Sequence, residues 1–130
     1  MSMPICGESP PALLLEGIAQ FNRGEYFEQH ETLELLWRAE RRDVRRLYQG
    51  ILQIGVAFHH LRRANHHGTV YMLGRGAQYL APFAPRCQGV DVEALLADAA
   101  AALKEVERLG PAGLAGFDWR LAPTVRVNVG

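Results

Sequence analysis

The sequence predicts an all-α fold, a compact bundle of five to six helices. Apolar residues recur at three- and four-residue intervals along almost the whole chain, the period of a helix with one buried face. Prolines and glycines interrupt that period at intervals suited to short connections, at Pro10-Pro11, Gly24, Gly68, Pro82 to Pro85 and Gly110. Strand-like alternation appears only in the tail, at Val125, Val127 and Val129.

Pro10-Pro11 opens the first helix, because a proline in the first turn forfeits no hydrogen bond, and Leu14, Ile18 and Phe21 carry it to Gly24. The second helix spans about 25–39, with Glu25 and Glu28 placed where the helix dipole favours carboxylates. A charged turn, Glu40-Arg41-Arg42-Asp43, follows, and Asp43 offers an N-cap to a long third helix over about 43–65, ended by His66-His67-Gly68. That helix is apolar nearly all round, with Leu47, Ile51, Ile54 and Phe58 on one side and Tyr48, Leu52 and Gly55 on another, so it belongs at the centre. The short connection packs it antiparallel to helix 25–39. Thr69 to Phe83 forms a fourth helix. Asp91 caps a fifth, whose stripe of Val92, Leu95, Leu96, Ala99, Leu103 and Val106 runs to Gly110. Pro111 to Phe117 adds a short sixth helix. The expectation is one domain over 1–130, with a flexible N-terminus (1–10) and an extended C-terminal tail (118–130).

A chain of 130 residues that is 48% hydrophobic and 22% charged can enclose one core. Fourteen basic residues balance fourteen acidic ones, so no overall field draws it to nucleic acid, which is not expected as a partner. No apolar stretch approaches the ~18 residues of a membrane span, so no membrane partner is expected. Cys6 and Cys87 lie far apart in no metal-type spacing and predict neither a zinc site nor a disulfide framework, which fits a reduced, cytoplasmic setting.

The sequence feature richest in chemistry is a polar line in apolar surroundings. At 100° per residue, Tyr26, His30, Leu33, Glu34 and Trp37 share one face of the second helix. On the third, Gln49, Gln53 and His60 fall within a narrow arc, beside the small residues Gly50 and Ala57. Folding the hairpin about Arg41 sets Glu34 level with Gln49 and His30 level with Gln53, with His60 further toward the other end. Glu31 points about 100° from His30.

Three readings follow. His30 and Glu34 are candidate ligands for a divalent metal, the one cofactor this pattern suggests, with Glu31 or Glu34 as general base of a hydrolase. The same cleft can hold a small polar ligand, with Tyr26 and Trp37 as walls and Gln49, Gln53 and His60 as polar contacts. Or the residues form a buried ladder, Glu34 bonded to Gln49 and His30 to Gln53, in a non-catalytic interaction or homo-oligomerisation module. The zinc-protease pattern is incomplete, since His30-Glu31-x-x-Glu34 lacks a second histidine.

Other motifs weigh less. The arginines Arg38, Arg41, Arg42, Arg45 and Arg46 are interrupted by Glu40 and Asp43 and read as a solvated hairpin. Adjacent histidines in His59-His60 and His66-His67 diverge by about 100° on a helix and do not share an ion. Gly74-Arg75-Gly76 follows no strand and reads as close helix packing.

The run Phe21-x-x-Gly24-Glu25-Tyr26-Phe27-Glu28-x-His30-Glu31-x-Leu33-Glu34-x-x-Trp37, followed by Leu47-Tyr48-Gln49-Gly50-x-x-Gln53 and His60, resembles the bacterial and archaeal family called domain of unknown function 309. The resemblance covers about residues 14–83. It implies a compact bundle with one helix surrounded by others, and makes the polar line a common family feature. Some members carry the label metal-dependent hydrolase. The chain departs from the family pattern after the central helix, with Ala64-Asn65 and Gly68-Thr69 where Gly-Asn and Gly-Ala are expected.

Overall fold

The computed structural model describes residues 4–128; Val129, the last of the alternating valines, lies outside them. Five α-helices dominate: α1 (Ala12–Asn22), α2 (Tyr26–Ala39), α3 (Arg45–Arg62), α4 (His66–Leu80) and α5 (Val92–Gly113). A two-residue hairpin, β1 (Arg86–Cys87) and β2 (Val90–Asp91), joins α4 to α5.

The apolar periods place α3 at the centre, with Leu47, Tyr48, Ile51, Ile54, Ala57 and Phe58 all without solvent exposure. Its neighbours on both sides are antiparallel. Along α2 the contacts run from Tyr26 against Phe58, through Gln29 against Leu52, to Trp37 under Arg45. Along α4 the backbones approach at glycines, where a Cβ on Gly50 would meet Leu80 and one on Gly76 would meet Ile54. Close packing therefore accounts for Gly76; around Gly74 the space is open.

Helix ends explain where the sequence reading slipped. The third helix stops at Arg62, short of Asn65, in a Schellman turn: Asn65 N–H donates to the His60 carbonyl at 2.8 Å and Ala64 N–H to that of Leu61 at 3.0 Å. His66-His67-Gly68 consequently opens α4, and Asn65 caps it, its side chain accepting from Gly68 N–H at 2.9 Å. The same turn ends α1, where the left-handed position is Gly24 (φ 78°); after α3 it is Ala64 (φ 59°). Asp43 does not cap α3, whose first turn follows Val44 with no side-chain cap. Asp91 does cap α5, accepting from Ala94 N–H at 2.9 Å. Gly110 (φ 69°, ψ 174°) breaks α5, and the expected sixth helix is one short turn after Pro111 continued as the 3-10 helix Leu114–Gly116.

Two further expectations are corrected. Cys6 and Cys87, separated by 81 positions, form a disulfide. Separation along the chain did not reveal that Gln88 N–H donates to the Cys6 carbonyl at 2.7 Å, laying the N-terminal segment against the hairpin. The chain from residue 4 is thus held, with Pro4–Gly7 a 3-10 helix and Glu8 bonded to Arg42 at 2.9 Å. The tail is also engaged: Asn22 both donates to the Val125 carbonyl and accepts from its N–H, and Val127 bridges to Val90. Among the described residues, no helix is long and apolar enough to cross a membrane.

Candidate functional site

Helical spacing brings His30, Glu34 and Trp37, at i, i+4 and i+7, to the side of α2 that meets α3 and α4. Across from them α3 presents Gln49 and Gln53 one turn apart, and together these five line a cavity of about 230 Å³. Leu52 and Val56 of α3 and Met72 of α4 complete its walls.

The polar groups are engaged unequally. Glu34 accepts an ion pair from Arg38 at 2.8 Å and lies 3.7 Å from His30 Nε2. Gln49 Oε1 accepts from Arg46, whose guanidinium also lies 5.3 Å from the Tyr79 ring. Arg45 covers the Trp37 ring at 5.3 Å. Two groups have no hydrogen-bond partner although both are buried: Gln53 Oε1 and Trp37 Nε1. The expected ladder is therefore not formed, because Glu34 and Gln49 turn to arginines of their own helices and His30 does not bond Gln53.

Other site candidates lie elsewhere. Tyr26 is buried in an aromatic cluster, 5.7 Å from Phe21 and 5.8 Å from Phe58, with Arg62 over its ring, and burial raises its phenol pKa. His60 sits at the α3–α4 turn, its Nδ1 3.3 Å from Asn65 Nδ2; burial, then the neighbouring His59 and Arg63 charges, lower its pKa. Glu31 is exposed and borders an outer depression with Glu34, Leu35 and Arg38.

A metal does not fit this donor set. Protein zinc sites use three or four side-chain ligands. Here His30 and Glu34 are the only two acid or imidazole groups on the cavity, one oxygen of Glu34 already faces a guanidinium, and no group of three or more His, Cys, Asp or Glu residues suited to a metal occurs among the described residues. The arginine cluster is likewise dispersed: Arg38 serves Glu34, Arg42 serves Glu40 and Glu8, and Arg45 and Arg46 lie over rings.

Sequence reasoning missed Gln29, the neighbour of His30. It is fully buried, donates from Nε2 to the Leu52 carbonyl at 3.1 Å, and leaves Oε1 unpaired. The one signal for it was Gly55, a gap in the facing helix large enough for an amide.

Residues 14–72 match the model of a family described as Domain of unknown function (DUF309), which supports the resemblance read from the sequence. The matched stretch contains every residue that lines the cavity. No curated protein matches the chain.

Proposed function

We propose that the cavity between α2, α3 and α4, lying wholly within the family-matched stretch, binds a small planar molecule carrying an amide, amidine or imidazole group. The observation that carries this reading is Gln53: it lines the cavity, and its buried Oε1 has no partner. A buried acceptor left unpaired costs roughly 1–3 kcal/mol, and native folds retain few of them. Retention beside a cavity is what a binding site for a hydrogen-bond donor requires. The terminal torsion of a glutamine is broad, so the Gln53 amide can turn to offer its oxygen or its nitrogen.

The remaining lining suits such a ligand. Trp37, Leu52, Val56 and Met72 supply apolar walls, and His30 and the second oxygen of Glu34 supply polar contacts at one end. At about 230 Å³ the space lies below the roughly 300–1,000 Å³ of drug-sized sites, which restricts the ligand to a few ring atoms with substituents. Arg38 offsets the Glu34 charge, so a neutral ligand is accepted as well as a cation.

The test uses Trp37 as the reporter. Trp119→Phe removes the other tryptophan, and a panel of small carboxamides, amidines and imidazoles is titrated while Trp37 fluorescence and melting temperature are followed. Saturable changes that disappear in Gln53→Leu support the reading. A panel without effect on either signal at millimolar concentration overturns it.

A further inference from the structure

The outward face of α2 carries a second pattern, separate from the cavity. Leu35 is 63% exposed, and Glu28, Glu31 and Arg38 of the same helix are exposed around it. Positions 28, 31, 35 and 38 are spaced three, four and three, so they share one face of α2. On this face lies a depression lined by Glu31, Glu34, Leu35 and Arg38. Those are positions i, i+3, i+4 and i+7, the four residues that form the hole for one knob of a facing helix.

The charges identify the occupant. Glu28 and Glu31 stand seven and four residues before Leu35, and Arg38 stands three after. The stripe is acidic on one side of Leu35 and basic on the other, so it is complementary to itself when turned end for end. Among the described residues neither Glu28 nor Glu31 has an ion-pair partner, and Arg38 holds Glu34 through one nitrogen of its fork.

We propose that α2 is the dimerisation helix of this protein and that its partner is α2 of a second copy, packed antiparallel about a two-fold axis beside Leu35. Each Leu35 then enters the hole of the other helix, and Glu31 meets the partner's Arg38. A parallel arrangement would set Glu31 against Glu31 and Arg38 against Arg38. An isologous contact of this kind is the commonest closed assembly. One helix pair is a small interface, of the transient class below about 1,200 Å². Association is therefore concentration-dependent and weakens with salt.

Sedimentation velocity from micromolar to millimolar protein, at low and high salt, tests this. The expected result is a monomer–dimer equilibrium weakened by roughly 30-fold in Leu35→Lys, which sets two ammonium groups at the axis without touching the core. Glu31→Arg alone should weaken it, and Glu31→Arg with Arg38→Glu should restore it, because the exchanged stripe is again complementary to itself. Monomer at every concentration, a dimer indifferent to Leu35→Lys, or a folded charge-exchanged variant that stays monomeric would each overturn the proposal. Circular dichroism of each variant separates loss of association from loss of fold.

Discussion

The side-chain amide of Gln29 fills the space that a Cβ at residue 55 would occupy. An ideal Cβ built on Gly55 would lie 2.3 Å from Gln29 Nε2, the same nitrogen that donates to the Leu52 carbonyl. Helices α2 and α3 are locked in register at this point by one buried amide and one missing methyl group.

Gly55→Ala should accordingly destabilise the domain by about 1–3 kcal/mol, through overpacking and displacement of a buried hydrogen bond. Combined with Gln29→Ala, which removes the obstructing amide, its cost should fall well below the sum of the two. Chemical denaturation of the four members of this double-mutant cycle measures the coupling.

Gln53→Leu should leave stability unchanged or raise it by up to ~1 kcal/mol, since it removes a buried acceptor that has no partner. It should also abolish ligand-dependent changes in Trp37 fluorescence. His30→Ala, by contrast, should cost little, because no His30–Gln53 bond exists to lose. Thermal melts of both variants check this, and a large loss in either would restore the idea of a structural ladder.

Acid should weaken the α3–α4 turn through His60. Asn65 Oδ1 is occupied by Gly68 N–H, so its Nδ2 is the atom that faces His60, and His60 Nδ1 must be the acceptor. Burial also lowers the His60 pKa, so the unfolded chain takes up this proton at higher pH than the folded one. The contribution is complete above the ordinary histidine pKa and is lost as pH falls through the lower, folded value. A pH series of denaturation midpoints on wild type and His60→Gln should diverge below neutrality, and NMR titration should place His60 below the ordinary histidine value.

Ala64→Gly should stabilise the protein by up to ~1 kcal/mol. Ala64 holds a left-handed backbone (φ 59°) in the Schellman turn, a position that Gly24 fills after α1 at no steric cost. A raised denaturation midpoint with an unchanged slope is the expected readout.

Replacing Cys6 and Cys87 by serine should lower stability by about 2–4 kcal/mol, because the bond closes a long loop spanning 81 positions. Reduction by a dithiol should have the same effect on the wild type and none on the variant, which melts with and without reductant would show.

The helices were legible because their signals are local. The stripe from Val92 to Val106 and the Asp91 cap define the start of α5 without help from the rest of the fold. The end of α3 was less legible: Ala64 is the strongest helix former by propensity, and only its left-handed backbone shows that one helix closes there and another opens. At the site, the wheel alone gathered His30, Glu34 and Trp37, because i, i+4 and i+7 share a face in any helix. The same wheel added Tyr26, which the bundle turns into the aromatic core against Phe21 and Phe58.

By itself the sequence determined the order of the five long helices, the centrality of α3, and which polar residues share a stripe. These follow from period, punctuation and end chemistry, all set within a few residues. Only the tertiary structure decided the pairing of Cys6 with Cys87, the burial of Gln29 opposite Gly55, the retreat of His60 to the turn, and the capture of Glu34 by Arg38 in place of Gln49. The disulfide depends on where the N-terminal segment lies against the hairpin, and the burial of Gln29 on how far α2 rotates about its own axis when it packs. That rotation is settled by the shapes of its neighbours, so no single helix encodes it.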